Sequence, residues 1–262
     1  MFESLIERGF QVEFRSHAQA ILSVDFPDAV HELQQALEVV SIPIEEIIGS
    51  GGGEAKGTQR LRRALTDLGW HKGTFTIEKR INDVAKESIS HEIDHVRAQL
   101  DGGVIALEIE WNNKDPFYDR DLENFKRLHA EGAISVGIII TRGASLQDEM
   151  VDMVRRFAVD RGLTSIDDLQ GIGLNPTNRQ QAAVIRRMRN GEVAFFDAWP
   201  PSFVQDKYGQ ATTHWRKLED RVRRGVGNPC PLLLIGLPAS IVTFDEKLDI
   251  SRIAEGDDDD AD

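Results

Sequence analysis

Three carboxylates on two neighbouring predicted strands are the residues of this sequence best suited to chemistry. Asp94 lies in the first strand, Glu108 and Glu110 lie in the second, and Asp101-Gly102-Gly103 supplies the turn between them. Folding back about Gly102 would bring Asp94 beside Glu110 and near Glu108. Carboxylates that close repel one another strongly unless a cation or protons intervene. The hairpin therefore predicts either a site for a hard divalent cation or a set of carboxyl groups that titrate abnormally.

The second strand of the hairpin alternates between an apolar face and a mixed face. The apolar face comprises Ile105, Leu107, Ile109 and Trp111, and the mixed face comprises Val104, Ala106, Glu108 and Glu110. Mg²⁺ prefers oxygen ligands and keeps several waters, so Asp94, Glu108 and the backbone carbonyl of Ile109 are the candidate metal ligands. Glu110 would orient or deprotonate an attacking water. The pattern is typical of phosphodiester hydrolysis assisted by one or two Mg²⁺ ions per subunit, although a solvent-facing polar strand could also carry these acids.

Polar and basic residues outside the two strands are candidates for DNA contacts. Three of them leave the second strand directly, namely Asn112, Asn113 and Lys114. Asparagine can pair with adenine, and lysine can contact phosphate or guanine, although a polar turn would have the same composition. Three further candidates are Lys56, Arg60 and Arg142. The first two follow a glycine-rich loop that could close over a polyanion, but this loop lacks the G-x-x-x-x-G-K-[ST] pattern of a nucleotide site.

Composition limits the classes of protein that the chain can belong to. The 262 residues are 40% hydrophobic, which is ordinary for a globular protein. The single cysteine, Cys230, excludes an intrachain disulfide framework and fits the cytoplasm. No apolar run approaches the ~20 residues that span a bilayer, so we expect no membrane partner.

Charge is distributed unevenly along the chain. The net charge of −13 argues against DNA binding by the whole surface. Residues 245–262 contain nine acids and two bases, Lys247 and Arg252, so this segment supplies more than half of the net negative charge. We therefore predict a disordered acidic tail at residues 245–262. Arginine clusters elsewhere could line a positively charged cleft.

The predicted elements around the carboxylates run β, β, β, α, β. Strands are expected at residues 74–81, 89–100, 104–111 and 134–141, with a helix between the last two whose apolar stripe is Leu122, Phe125 and Leu128. A last buried strand is expected at residues 232–237, and residues 163–176 are predicted to be a loop. The fold class is therefore α/β, a single domain over residues 1–244 with a central mixed β-sheet flanked by helices.

The run LEIEWNNKDPFYDRDLENF, preceded by HEIDHV, resembles the BglII-like restriction endonucleases of the PD-(D/E)xK superfamily, a branch related to the BamHI group. The resemblance implies a restriction-endonuclease-like fold and a Mg²⁺-dependent type II enzyme. Such an enzyme cuts double-stranded DNA at a short palindrome as a homodimer, leaves 5′-phosphates, and accompanies a cognate DNA methyltransferase that is not a stable partner.

The resemblance also implies roles for individual residues. Asp94 and Glu108 would be the metal carboxylates, and Glu110 stands where most members of the superfamily have lysine. A glutamate cannot supply that positive charge, so we expect Glu110 to act as a base. Glu78 is near the place of an additional polar active-site group, and Asn113 falls where the family places an asparagine that contacts a base.

Two other functions fit the same residues. One is a structure-specific nuclease of DNA repair or recombination, which would prefer branched substrates. The other is a non-catalytic metal- or DNA-binding module, in which the carboxylates bind a structural cation or stabilise a partner interface.

Overall fold

The structure is a computed structural model that describes residues 1–49, 55–99 and 102–244. Its helices are α1 (Glu3–Glu7), α2 (Ala18–Asp25), α3 (Pro27–Glu38), α4 (Ile44–Gly49), α5 (Lys56–Asp67), α6 (Phe117–Ala130), α7 (Ala144–Asp160), α8 (Ile166–Gly171), α9 (Asn178–Gly191), α10 (Phe195–Lys207) and α11 (Trp215–Arg223). Its strands are β1 (Gln11–Arg15), β2 (Ile42–Pro43), β3 (His71–Ile81), β4 (Val84–Ala98), β5 (Val104–Glu110), β6 (Val136–Arg142), β7 (Leu232–Leu237) and β8 (Val242–Thr243).

The chain divides into two compact units. The first comprises Met1–Val40, Arg60–Ala144 and Thr213–Pro238, and the second comprises Ser41–Gln59, Ser145–Thr212 and the chain from Ala239 onward. The prediction of one domain over residues 1–244 stays a prediction. The predicted acidic tail, residues 245–262, lies outside the described residues.

The first unit is built on a six-stranded mixed sheet with the order β1-β7-β6-β5-β4-β3. The central pairs β5–β6 and β6–β7 are parallel, and the outer pairs β1–β7, β4–β5 and β3–β4 are antiparallel. Every residue of β6 and β7 is buried, as expected for strands with both faces covered. The sheet is flanked by helices, which confirms the predicted α/β class and restriction-endonuclease-like fold.

One face of this sheet is covered by α6 and α11. The predicted apolar stripe of α6, Leu122, Phe125 and Leu128, is fully buried in a cluster with Ala106 of β5. Gly137 of β6 lets this helix approach closely, because a Cβ there would lie 2.4 Å from Cδ2 of Phe125. Helix α6 therefore sits directly over the strands that carry the acids.

The β3–β4 pair extends as a ribbon whose far half is exposed to solvent. Strand β4 begins at Val84, five residues before the predicted start at residue 89. The turn at the tip contains Asn82 and Asp83, both with a positive φ, which asparagine and aspartate tolerate better than most residues. Ile81 and Val84 beside this turn are exposed.

The second unit contains the two-stranded parallel pair β2–β8 and most of the helices that follow residue 144. Helix α9 begins with a capping box in which Thr177 and Gln180 each accept a hydrogen bond from the backbone N–H of the other. Helix α8 lies within residues 163–176, where a loop was expected, and α10 was not predicted from the sequence. In residues 1–49, 55–99 and 102–244, no helix is both long and apolar enough to cross a membrane.

Candidate active site

Strands β4 and β5 form the predicted hairpin that carries the acids. Gln99 and Gly103 lie at its turn, where the Gln99 N–H donates to the Gly103 carbonyl over 2.8 Å. Gly102 has a φ of 92°, a conformation that glycine adopts without strain. Asp101, the first residue of the predicted turn, lies outside the described residues.

The pairing register places Asp94 next to Glu108. His95 is opposite Leu107, so the residue before His95 is next to the residue after Leu107. The Asp94 and Glu108 side chains are close enough to share a hydrogen bond. The prediction that Asp94 would lie beside Glu110 and near Glu108 was therefore wrong by two residues on β5, because Glu108 is the direct neighbour.

A bulge in β4 turns Asp94 toward the other acids. Between two pairs of the β3–β4 ladder, Gly73 with Ile93 and His71 with Val96, β4 contains one residue more than β3. Ile93 and Val96 consequently pack into the same cluster, although regular alternation would put them on opposite faces. Bulges commonly redirect a side chain at an active site, and here the bulge contains Asp94.

Glu108 is a buried carboxyl group that forms no ion pair among the described residues, although the charge of Arg120 acts on it from a distance. Its residue is 3% exposed. Burial, together with the nearby carboxylates of Asp94 and Asp121, raises the pKa of Glu108 to about 10. At neutral pH this group therefore either carries a proton or requires a positive ion beside it.

Glu110 forms a second pair of buried acids with Asp121 of α6. Burial and the Asp121 carboxylate raise the pKa of Glu110 to about 8, and burial also raises the pKa of Asp121. Oδ2 of Asp121 is buried and finds no donor among the other described groups, which fits a proton shared with Glu110. Asn113 donates from Nδ2 to Oε2 of Glu110 over 2.8 Å and so fixes its orientation.

Arg120 lies at the exposed side of this second pair. Its Nη2 is 2.8 Å from Oδ1 of Asp121 and 3.7 Å from Oε1 of Glu110. Its guanidinium also lies over the ring of Phe117, 4.4 Å from the ring centre. Both Arg120 and Asp121 therefore belong to the candidate site, and neither was predicted from the sequence.

A signal for Asp121 was present in the sequence. Asp121, Phe125 and Leu128 follow the i, i+4, i+7 spacing of one helix face, so the acid belongs to the apolar face of α6. It is completely buried there. An acid on the buried face of a helix next to a predicted metal site is a candidate for the same site.

Backbone contacts hold the strand end and the loop that follow Glu110. The Thr141 hydroxyl donates to the Glu110 carbonyl over 2.7 Å, and Tyr118 lies 2.5 Å from the same hydroxyl. Asn113 accepts a hydrogen bond from the Thr213 N–H at its carbonyl and donates from its own N–H to the Thr213 hydroxyl. These bonds fix Glu110 at the backbone as well as at its side chain.

Arg142 is part of this support and does not face DNA. It is completely buried, and its guanidinium donates to the carbonyls of Trp111 and Thr213, each over 2.7 Å. A guanidinium that satisfies two buried carbonyls in the interior cannot reach a nucleic acid in this conformation. The prediction of a direct DNA contact by Arg142 does not fit the structure, because the strand that carries it is buried to its last residue.

Glu78 lies far from the other acids. It is paired with Ser88 on the exposed part of the ribbon and forms an ion pair with Arg80 at 3.4 Å. Ser88 and Asp94 are six positions apart on β4, which corresponds to roughly 20 Å along a strand. Glu78 therefore does not fit the predicted place in the catalytic cluster.

The other predicted DNA contacts lie at or near the surface. Asn113 and Lys114 are exposed, and Asn112 is partly buried, in the loop between β5 and α6. Arg60 is exposed on α5 in the first unit, and Lys56 begins the same helix in the second unit. In the conformation described, the Asn113 side chain is engaged with Glu110.

The donors fit a small, hard cation better than a zinc ion. The described residues contain no group of three or more His, Cys, Asp or Glu side chains arranged to hold a metal. Mg²⁺ needs no such group, since it is commonly held by one or two carboxylates and keeps several waters. Asp94 with the buried Glu108 supplies such a pair of carboxylates, and its unneutralised charge favours a cation at this place.

Comparison with known proteins identifies a family. A family model described as restriction endonuclease BglII/BglIII matches residues 10–237. The match includes both strands of the acidic hairpin, α6 and the segment around Thr213. A search of curated proteins found no match to the chain.

Proposed function

The chain belongs to the BglII/BglIII family of restriction endonucleases, and we propose that it cleaves DNA with Mg²⁺ bound by Asp94, Glu108 and the Ile109 carbonyl. Membership confirms the resemblance seen in the sequence. A protein of this family is a type II restriction endonuclease, which is a site-specific DNA phosphodiesterase. The proposal concerns the metal ion, the residues and the products.

The observation that carries the proposal is the pair formed by Asp94 and the buried Glu108. A buried carboxylate beside a second carboxylate at the surface is unfavourable unless a proton or a cation joins them. The Glu110 carbonyl accepts from Thr141 of β6, and successive carbonyls of a strand alternate in direction, so the Ile109 carbonyl points toward β4. This direction supports Ile109 as the third oxygen donor.

In the proposed reaction Glu110 is the general base. When bound, Mg²⁺ would polarise the scissile phosphate and make a coordinated water more acidic. Glu110 takes a proton from the attacking water, whose oxygen forms a bond to phosphorus while the P–O3′ bond breaks. The 3′ oxygen takes a proton from solvent, and the 5′-phosphate remains on the other fragment. The elevated pKa of Glu110 suits this role, because a base works best when its pKa is near the operating pH.

The remaining parts of the proposal concern substrate and assembly. We infer a homodimer that cuts a short palindrome in double-stranded DNA, because two-fold symmetry lets each subunit read one half-site. Asn112 and Lys114 would contact DNA beside the cleavage site, and Arg60 and Lys56 would contact phosphates. The Asn113 side chain donates to Glu110 in this structure, so it would have to release Glu110 in order to contact a base. A cognate methyltransferase would protect the same sequence in the host, and the enzyme would work in the cytoplasm.

Replacing Asp94 tests the metal site directly. We expect Asp94→Ala to lower the rate of plasmid cleavage in Mg²⁺ by at least about 10³-fold, since a metal ion contributes several kcal/mol to transition-state stabilisation. The matched control is Glu92→Ala, which removes an exposed acid of the same strand that pairs with Lys72. The control should cleave within about 3-fold of wild type. Wild-type cleavage by Asp94→Ala would show that the metal site is wrongly assigned.

A further inference from the structure

Four acids surround the proposed reaction centre, and this excess of negative charge raises a question about the phosphate. Asp94, Glu108, Glu110 and Asp121 lie in neighbouring positions, and three of them are buried. Phosphodiester hydrolysis places additional negative charge on the phosphoryl oxygens in the transition state. Fixed positive groups directed at these oxygens are a large source of rate acceleration. The site therefore needs a cationic side chain in addition to a metal ion.

Arg120 is positioned to supply that charge. Its Nε and Nη2 both lie 2.8 Å from Oδ1 of Asp121, so one side of the guanidinium is anchored on the acid. The face of the guanidinium lies against Phe117. With these two contacts the side chain is preorganised, and Nη1 has no acceptor among the described groups and can donate to a ligand.

Exposure of Arg120 agrees with contact to a ligand. Its side chain is 53% exposed, whereas Glu110 and Asp121 beneath it are buried. Lys72 also lies near Asp94, but its ammonium is paired with Glu92 at 2.8 Å on the surface of the ribbon. Within the described part of the first unit, Arg120 is the cation that is both anchored on the carboxylates and open to a substrate.

We propose that Arg120 is a catalytic residue whose guanidinium donates from Nη1 to a non-bridging oxygen of the scissile phosphate. The contact strengthens as negative charge develops on that oxygen, so it accelerates the reaction more than it improves binding. Asp121 acts as the positioning residue that holds the guanidinium in place. This inference rests on the proposed function, because it requires the phosphate to lie above Glu110.

Single-turnover kinetics test the role of Arg120. With enzyme in excess over plasmid DNA, we expect Arg120→Ala to lower the rate of Mg²⁺-dependent cleavage by about 10²–10³-fold. Binding of the same DNA in Ca²⁺, measured without cleavage, should weaken by less than about 3-fold. Arg120→Lys keeps the charge but not the planar fork, so it should recover about 10-fold of the lost rate. Lys126→Ala, which removes an exposed cation of the same helix, is the matched control and should cleave like wild type.

A second background separates catalysis from simple neutralisation of Asp121. If Arg120 only balances the Asp121 charge, removing it from an Asp121→Asn variant should cost nothing. The proposal expects Arg120→Ala still to slow cleavage in that background, but by only about 10-fold, because the guanidinium keeps its charge and its contact with Phe117 but has lost its anchor on the Asp121 carboxylate. Thermal unfolding of each variant shows whether it is folded, and Arg120→Lys serves where the alanine variant is not.

The outcomes distinguish this inference from the proposed function. Cleavage by Arg120→Ala at the wild-type rate, or no effect of the substitution in the Asp121→Asn background, overturns the role of Arg120 alone. A loss of rate that is matched by an equal loss of DNA affinity in Ca²⁺ also overturns it. A wild-type chain that cuts no DNA in Mg²⁺ overturns both.

Discussion

Glu108 is the residue at which folding conflicts with the proposed metal binding. Folding removes its carboxyl group from water and places it beside Asp94, which raises its pKa to about 10. In an unfolded chain the same group ionises near its ordinary value of 4.5. Between these two pH values the metal-free folded protein holds a proton that the unfolded chain has released. Its stability must therefore fall as the pH rises.

Glu108→Gln should make the metal-free protein more stable at alkaline pH. The contribution of the wild-type carboxyl to the free energy of unfolding is fully present below its pKa in the unfolded chain. It is lost as the pH rises toward its pKa in the folded protein, by at most about 1.4 kcal/mol per pH unit. Glutamine needs no proton, so at pH 8 the variant should be more stable than the wild type by about 2 kcal/mol and should unfold at a higher temperature. At pH 4.5 the two proteins should unfold at similar temperatures.

Thermal unfolding in EDTA across this pH range is the appropriate measurement. Glu123→Gln is the control, because Glu123 is an exposed acid of α6 whose partner is Lys126. Its unfolding should follow the pH dependence of the wild type. An equally steep pH dependence in the Glu108→Gln protein would show that Glu108 is not the group responsible.

Prediction from sequence succeeded for acids on strands and failed where the tertiary structure decides. Asp94 and Glu108 could be brought together because strand alternation and a glycine turn are local patterns. The register was predicted from a fold about Gly102, but Ala98 pairs with Val104, which shifts the register by two residues on β5 and places Asp94 beside Glu108. Glu78 could not be excluded without the length of the ribbon. Arg142 could not be excluded as a DNA contact, because its two carbonyl partners, Trp111 and Thr213, lie far from it in the sequence.

Helix α6 connects the sheet to two groups of the proposed active site. It carries Asp121 and Arg120 in its first turns. Its Phe125 packs on Gly137 of β6, which has no side chain. The depth at which α6 packs thus decides how far these two groups reach over Glu110. The position of one glycine, Gly137, is coupled to the geometry of the site.

Gly137→Ala should displace α6 and weaken both stability and cleavage. The new methyl group would lie 2.4 Å from Phe125 Cδ2, so the ring or the helix must move. Overpacking of this kind typically costs about 1–3 kcal/mol. We expect a lower unfolding temperature together with slower single-turnover cleavage. Gly171→Ala is the control, since nothing lies within 4 Å of that position, and it should be neutral or slightly stabilising. Equal stability of the two variants would contradict the proposed packing.

Elements with a clear hydrophobic period were predicted well. The buried strands β6 and β7 and the apolar stripe of α6 match the expected positions closely. Helix α10 was missed because Pro200 and Pro201 lie inside it, and proline usually ends a helix. Helix α8 is six residues long, too short for a period to show, although Ser165 caps it by accepting from the Asp168 N–H.

The charge of the whole molecule restricts how it can meet DNA. The net charge is −13, of which residues 245–262 contribute −7 as nine acids against two bases, so −6 remains for residues 1–244. A molecule with this balance is repelled by DNA at a distance, and attraction must come from local positive surface. Specific binding therefore depends on the geometry of an assembled cleft.

The proposed homodimer predicts both a digestion pattern and a stoichiometry. Digested phage DNA should give discrete bands whose sequenced ends define one palindrome with 5′-phosphates. A duplex containing that palindrome should bind two chains in Ca²⁺, as measured by sedimentation, because each chain reads one half-site. A duplex with one half-site altered is the control and should bind more weakly, since a mismatched base pair costs about 1–3 kcal/mol. A smear without discrete bands, or one chain per duplex, would contradict this assembly.

The hydrogen bonds between Asn113 and Thr213 have a consequence for the order of folding. They join residues that are 100 positions apart, whereas Asp94 and Glu108 belong to one hairpin. Hairpins form locally within about 1–10 μs, while contacts between distant segments form late. We therefore expect Asp94 and Glu108 to meet while they are still hydrated and ionised. Docking of α6 and of the segment around Thr213 then completes the site, so the groups that repel one another come together before the groups that hold them.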